Sequence, residues 1–196
     1  MFVLASASPR RKELLEQIGA KFYVRTSDVK EIMGNDYLPE ELVRENAVAK
    51  AMSVAKEFPV TYVLGADTIV YLENYILGKP HSVEESKSML KMLAGERHFV
   101  TTGIAWVRDS KVFTDTVTTA VYFGNMSDKE INDYVLTGEP MDKAGAYAIQ
   151  GKAAVYIERI EGSFSNVVGL PIYAMIRLAR KVGVNIYDYN GEGFAK

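Results

Sequence analysis

Apolar runs of strand length alternate with helical patterns along this chain, beginning with Phe2 to Ala5, then Pro9 to Ile18, then Lys21 to Val24. Alternation of this kind restricts the fold to the α/β class, because strands and helices that succeed one another must bury their apolar faces in shared layers. A second helix is expected from Pro39 to Phe58. Val43, Ala47, Met52, Val54, Ala55 and Phe58 form its apolar stripe, Pro39 suits its first position and Pro59 its stop. Two capping boxes, Ser82-Val83-Glu84-Glu85 and Ser127-Asp128-Lys129-Glu130, open two further helices, which Gly95 and Gly138 close. Between them, His98 to Val107 and Lys111 to Phe123 are rich in Val, Thr and aromatic residues. Split by Arg108-Asp109-Ser110, they predict a long antiparallel pair. A strand over Ala154 to Ile160 and a helix over Ile172 to Val182 complete the pattern. Ser6 to Ser8, Gly65 to Thr68, Gly78 to Pro80, Glu139 to Gly151 and Gly162 to Pro171 are left as loops, the places where sites are built on such a frame.

With 196 residues, 48% of them apolar, the chain can bury one substantial core, and one domain over residues 1–196 is expected. Its 23 basic and 25 acidic side chains leave a net charge of -2, so no global positive field attracts a nucleic acid and none is expected as a partner. Any polyanion must meet basic residues gathered locally. The absence of cysteine excludes disulfides, thiolate nucleophiles and cysteine-ligated zinc or iron-sulfur centres. The five apolar residues that open the chain are too few for a signal peptide, and no later run approaches a membrane span, so a cytoplasmic protein is expected.

Ser8 can cap the first helix and Pro9 fits its first turn, yet Arg10, Arg11 and Lys12 crowd the positive end of that helix's dipole. Each cation there costs about 0.3 kcal/mol or more, a cost that an anion bound at the helix start would remove. A solvated basic turn is the alternative. Lys50 returns to the apolar face of the second helix, where it either snorkels to the edge or meets an anion. Asp67 interrupts two apolar segments and needs a metal, a lysine or a water as partner, unless it is a turn aspartate bonded to its own backbone. Glu31 and Asp142 offer further carboxylates. Oxygen ligands beside phosphate suit magnesium or manganese, whereas the two histidines, His81 and His98, stand apart and read as surface or packing residues. Lys79 is aimed by its neighbours Gly78 and Pro80, or is a solvated loop lysine. Ser163 and Asn166 are candidates for hydroxyl and amide contacts.

Taken together, these motifs resemble the Maf family of nucleotide pyrophosphatases. The matching stretches run in order from Leu4–Leu15 through Gly65–Val70, Gly78–Pro80, Asp142–Gly151 and Ile160–Ser163 to Val168–Pro171. The resemblance implies a long bent mixed sheet flanked by helices, two lobes with a central cleft, and kinship with inosine triphosphate pyrophosphatases. It also implies metal-assisted hydrolysis of a nucleoside triphosphate between its α and β phosphates. Carried over by position, Asp67 matches the proton acceptor, and Arg10, Thr68 and Gln150 match positions linked to substrate choice. Ser8, Arg11, Lys50 and Lys79 match the phosphate site; Glu31 with Asp67 matches the metal site. The loop from Asp142 to Gln150 looks like the branch acting on dTTP and UTP. Lys30, where many relatives carry a second acidic residue, leaves the number of metal ions open. A homodimer is compatible with the resemblance, and a second reading, a nucleotide-binding regulator of septum formation without turnover, also stays open.

Overall fold

The structure is a computed structural model, and it describes residues 1–34 and 37–187. Its strands are β1 (Phe2–Ala5), β2 (Phe22–Val24), β3 (Val63–Leu72), β4 (Tyr75–Leu77), β5 (Arg97–Arg108), β6 (Lys111–Phe123) and β7 (Ile157–Glu161). The helices are α1 (Pro9–Gln17), α2 (Pro39–Ala55), α3 (Val83–Leu93), α4 (Asp128–Leu136), α5 (Phe164–Val168) and α6 (Ile172–Lys181). The strands form one mixed sheet in the order β2-β1-β3-β5-β6-β7, with β4 also paired to β3. The α/β expectation of a mixed sheet flanked by helices therefore holds.

Strand β3 decides where a site can form. On one side it pairs antiparallel with β5 without a break, from Val63 opposite Val107 to Tyr71 opposite Phe99. On its other side two short strands share its length. Parallel β1 covers Val63 to Gly65, and antiparallel β4 covers Val70 to Leu72. Residues 66–69 are left with an open edge. Because β1 runs with β3 and β4 runs against it, both strands end at that gap. The turn Ser6-Ala7-Ser8 and the loop Gly78-Lys79 are thus delivered to it from opposite ends.

The predicted loop at Gly65–Thr68 is accordingly wrong: these residues are the middle of β3. Gly-Ala-Asp-Thr carries turn chemistry, but the unbroken ladder to β5 satisfies its backbone and overrides local preference. Gly65 has a packing reason instead. A Cβ there would lie 2.2 Å from the carbonyl oxygen of Ala47, and one on Gly103 would lie 2.4 Å from that of Val43. The two glycines let α2 rest directly on the sheet.

Strand periodicity divides the core into two layers. Phe2, Leu4, Leu64, Ile104 and Trp106 pack with α3, α4 and α6, whereas Val3, Ala5, Val63, Ala105 and Val107 pack with Ala47, Ala51 and Val54 of α2. Each fully buried Leu, Val or Phe contributes about 1.5–3 kcal/mol. The same alternation sends Asp67 toward α2 and Thr68 to the opposite face.

Other boundaries differ in instructive ways. The loop expected over Gly162–Pro171 contains α5, whose five residues are too few to show a period. The strand expected from Ala154 begins at Ile157, after a 3-10 turn over Lys152–Tyr156. Helix α2 stops at Ala55 rather than Phe58. The Ser127 capping box is complete, but at α3 the Glu85 carboxylate accepts from the amide of His81 instead of Ser82.

Candidate active site

At the gap in β3 lies an open cleft of about 900 Å³, counted out to its mouth. Ser8, Arg10, Arg11, Glu31, Lys50, Asp67, Thr68, Lys79 and Gln150, all expected from sequence, line it together. Five cationic side chains, the fifth being Lys143, line the cleft together with two carboxylates. In a chain of net charge -2, this is the local gathering of basic groups that a polyanion requires. The rest of the lining is largely apolar, from Ile69, Val70, Val100, Tyr147, Ala148, Val167 and Val168.

Asp67 is 5% exposed. It is not bonded back to its own turn. Oδ1 accepts from the Lys50 ammonium at 2.6 Å, and Oδ2 accepts from the side-chain amide of Asn46 at 3.0 Å. Both donors come from α2, four residues and so about one turn apart, on the face that Gly65 and Gly103 bring close. Lys50 also meets Glu31 Oε1 at 2.6 Å, so the ammonium is paired rather than snorkelled. Glu31 arrives on the extended segment after β2. Burial would raise its carboxyl, but the hydrogen bond and charge of Lys50, with the charges of Lys79 and Arg11, outweigh this and hold it below the ordinary range.

Two carboxylates that converge on one positive charge form a hard-oxygen donor set, the chemistry that suits magnesium or manganese. Glu31 and Asp67 are the two carboxylates whose chemistry fits such an ion. Asp142 lies elsewhere. No group of three or more His, Cys, Asp or Glu residues suited to a metal is found among the described residues.

On the other face of β3, the predicted basic turn separates into two environments. Arg11 is buried: Nε donates to the Gly169 carbonyl at 2.8 Å, Nη1 to Ser6 Oγ at 3.2 Å and Nη2 to Thr68 Oγ1 at 2.9 Å. Burial lowers its pKa, an effect that the charge of Asp67 opposes. The fork ties the β1 turn, β3 and the end of α5 together. Among the described residues, three of its five N–H groups find acceptors. Arg10 instead reaches across to the loop after α4, donating to Asp142 Oδ2 at 2.8 Å and to the Asp142 carbonyl at 3.2 Å. Lys12 lies at the surface with Glu16, the solvated reading.

Ser8 stands at the N-cap position of α1, but its side chain makes no capping bond. The first amide groups of the helix are therefore not taken up by the hydroxyl expected to cap them. An anion at this end would gain both those donors and the dipole.

The loop carrying Gln150 is pinned from behind. Glu139 accepts from the Tyr134 hydroxyl at 2.8 Å and from the amide of Lys152 at 3.0 and 3.1 Å, while Lys143 donates to the Glu139 carbonyl. Gln150 itself is exposed to the cleft. Ser163 and Asn166 do not serve the cleft with their side chains. Ser163 caps α5, and the Asn166 amide donates to Val100 O and Thr119 Oγ1. Asn46 is a near-cleft residue that sequence reasoning passed over, and Lys143 and Tyr147, which it named only as members of the loop from Asp142 to Gln150, line the cleft. For Asn46 a signal existed, since it lies one turn before Lys50 on the apolar face.

His98 is a packing residue, as expected. Fully buried, it hydrogen-bonds through Nε2 to the Tyr147 hydroxyl at 2.7 Å, and burial pushes its pKa down to about 4 from 6.5. The folded state thus resists a proton that the unfolded chain accepts at 6.5. Its contribution to stability is complete above pH 6.5, declines as pH falls below that value, and is gone once pH has passed about 4. Urea titrations at a series of pH values should show a loss of about 3 kcal/mol across this window. The slope between pH 6.5 and 5 should vanish in His98→Phe; an unchanged slope would assign it to other groups.

The Maf-like protein family matches over residues 1–182. Among curated relatives, a dTTP/UTP pyrophosphatase of Alkaliphilus oremlandii is 49% identical over 191 residues, covering 96% of this chain and 97% of that protein. Another, from Geobacillus sp. (strain WCH70), is 45% identical over 92% of this chain and 97% of its own length. A third, from Methanosarcina barkeri, is 45% identical over 95% and 96%. Among solved structures, the Staphylococcus aureus Ham1 protein aligns with a TM-score of 0.45 at 17% identity, over 63% of this chain and 72% of that one.

Proposed function

This chain belongs to the Maf-like protein family, and on that premise we propose that it hydrolyses dTTP and UTP to the nucleoside monophosphate and pyrophosphate. One observation carries the reading. A buried carboxylate, Asp67, stands at the open edge of a strand inside a cleft whose cations outnumber its anions.

The triphosphate lies against Ser8, the start of α1, Arg11, Lys50 and Lys79, which offset its charge and hold it in one orientation. Asp67 orients a water and takes its proton as the oxygen attacks the α phosphorus, opposite the bond to the oxygen that bridges the α and β phosphates. The bond to the bridging oxygen breaks, and pyrophosphate carries away the electron pair. Glu31 and Asp67 would hold magnesium or manganese, which when bound supplies a hard positive charge to the phosphate oxygens. Lys50, between those two carboxylates, keeps them together and partly neutral until substrate arrives.

The base is placed against the apolar lining beside Gln150. An amide there offers one donor and one acceptor face, the complement of the uracil and thymine edge, and cytosine reverses two of those atoms. Arg10 acts on substrate choice through Asp142, by tying the phosphate turn to the loop that presents Gln150. Thr68 fixes Arg11 from the strand side. The chain has no cysteine and suits a reducing compartment, and the reaction is placed in the cytoplasm. Among the described residues no helix is long and apolar enough to cross a membrane.

The test is a panel of nucleoside triphosphates with magnesium or manganese, with products separated by chromatography. Monophosphate and pyrophosphate should form from dTTP and UTP, and CTP should be at least about tenfold poorer in kcat/KM. Release of a diphosphate and inorganic phosphate would reject the mechanism. Binding of dTTP without turnover would favour the regulator.

A further inference from the structure

We infer that Asn46 is a positioning residue for this reaction, holding the Asp67 carboxylate and the segment that carries Glu31 in one geometry. The inference rests on the function proposed above. Asn46 is 2% exposed and lies in the middle of α2, on a face it shares with Leu42, Val43, Ala47, Lys50 and Ala51. A buried amide in that setting costs stability unless its donors and acceptor find partners.

All three groups do. Its Oδ1 accepts from the amide of Ile32 at 2.8 Å, and one Nδ2 hydrogen goes to the Ile32 carbonyl at 2.9 Å. The second goes to Asp67 Oδ2 at 3.0 Å. The amide orientation is forced by these neighbours, since a backbone N–H only donates and an ionised carboxylate only accepts. Asn46 therefore grips the Ile32 peptide as a neighbouring strand would, and spends its remaining hydrogen on the proposed base.

The consequence is geometric. Lys50 fixes one oxygen of Asp67 and Asn46 the other, so the plane of the carboxylate cannot rotate freely. The same amide fixes Ile32, and with it the adjacent Glu31, whose Oε1 meets Lys50. Two residues one helical turn apart on α2 thus hold both carboxylates of the site. Among the described residues, no other uncharged side chain is hydrogen-bonded to both of these segments. Asn46 can set their distance without altering the charge offered to the substrate.

The experiment compares Asn46→Leu and Asn46→Asp with the unmodified protein, in dTTP turnover and thermal melting. Both substitutions are repeated in an Asp67→Asn background, and all assays run well below the lowest melting temperature. Leu removes the amide at similar volume, and Asp keeps the shape but has no hydrogen to donate. Either change should lower kcat by about 10- to 100-fold, as expected for a misplaced reacting group, with KM within about threefold. In the Asp67→Asn background the same change should cost less than about threefold, because no base is left to misplace. An unmodified kcat in either variant overturns the inference, whatever the melting temperature does. So does a loss of equal size in both backgrounds, which would mark a purely structural role. If the unmodified protein fails to hydrolyse dTTP and UTP, the functional reading falls instead.

Discussion

Asp67→Asn should lower kcat for dTTP by about a thousandfold while leaving KM within a few-fold, the signature of losing a proton acceptor rather than a binding contact. The substitution is nearly isosteric, and the site has room for it. Opposite Asp67 across the ladder stands Gly103, so no side chain crowds it from β5. An amide at position 67 can still accept from Lys50 or Asn46 and keep α2 seated on the sheet. It cannot take a proton from water. The measurement is steady-state kinetics on the purified variant with a melting curve beside it. Turnover at the unmodified rate would remove Asp67 from the role of base, and loss of folding would show that its charge is chiefly structural.

Lys50→Met should be the most destabilising single change in the cleft, by about 3–5 kcal/mol, because it strips the cation from a carboxylate that has little access to bulk water. The side chain of Asp67 is 7% exposed and that of Lys50 12%, so solvent cannot replace the lost partner, although Glu31, at 45%, can turn outward. Urea denaturation at neutral pH measures the loss. Adding Asp67→Asn to Lys50→Met should return most of it, since the double variant has no uncompensated buried charge. Equal stability of the two variants would mean that the penalty arises elsewhere in the packing of α2. The proposed chemistry adds a second readout. With Lys50 gone, one of the cations offsetting the triphosphate is missing, and KM for dTTP should rise even where the protein stays folded.

Much of the site was legible as residues and little of it as geometry. Asp67 was conspicuous because a carboxylate among Val, Leu and Ile must have a partner. Lys50 was conspicuous because an ammonium sat on the apolar face of α2. Nothing in the sequence joined the two, since a helix–strand contact depends on how closely α2 approaches, and that depends on Gly65 and Gly103. Composition and spacing alone make the basic turn one feature, and only the family resemblance gives Arg10 and Arg11 different roles. Burial divided it: Arg11 turned inward to Gly169 and Thr68, Arg10 outward to Asp142. The loop expected at Gly65–Thr68 was the main error of the fold, and it arose where local turn preference met a ladder contributed by a strand about forty residues away.

What the sequence determined by itself is the kind of each main element and the residues that break its rules. Periods of two and of 3.6 residues, proline and glycine at helix ends, and charges at apolar positions are all local properties. Which groups meet was decided only by tertiary structure. The two short strands β1 and β4 leave the same edge of β3 open, and that gap collects the Ser6–Ser8 turn, Lys79, Asp67 and Thr68 from distant parts of the chain. Strand register and the direction of pairing set those meetings. Both are long-range quantities, fixed by the summed burial of two core layers rather than by any segment's own preference.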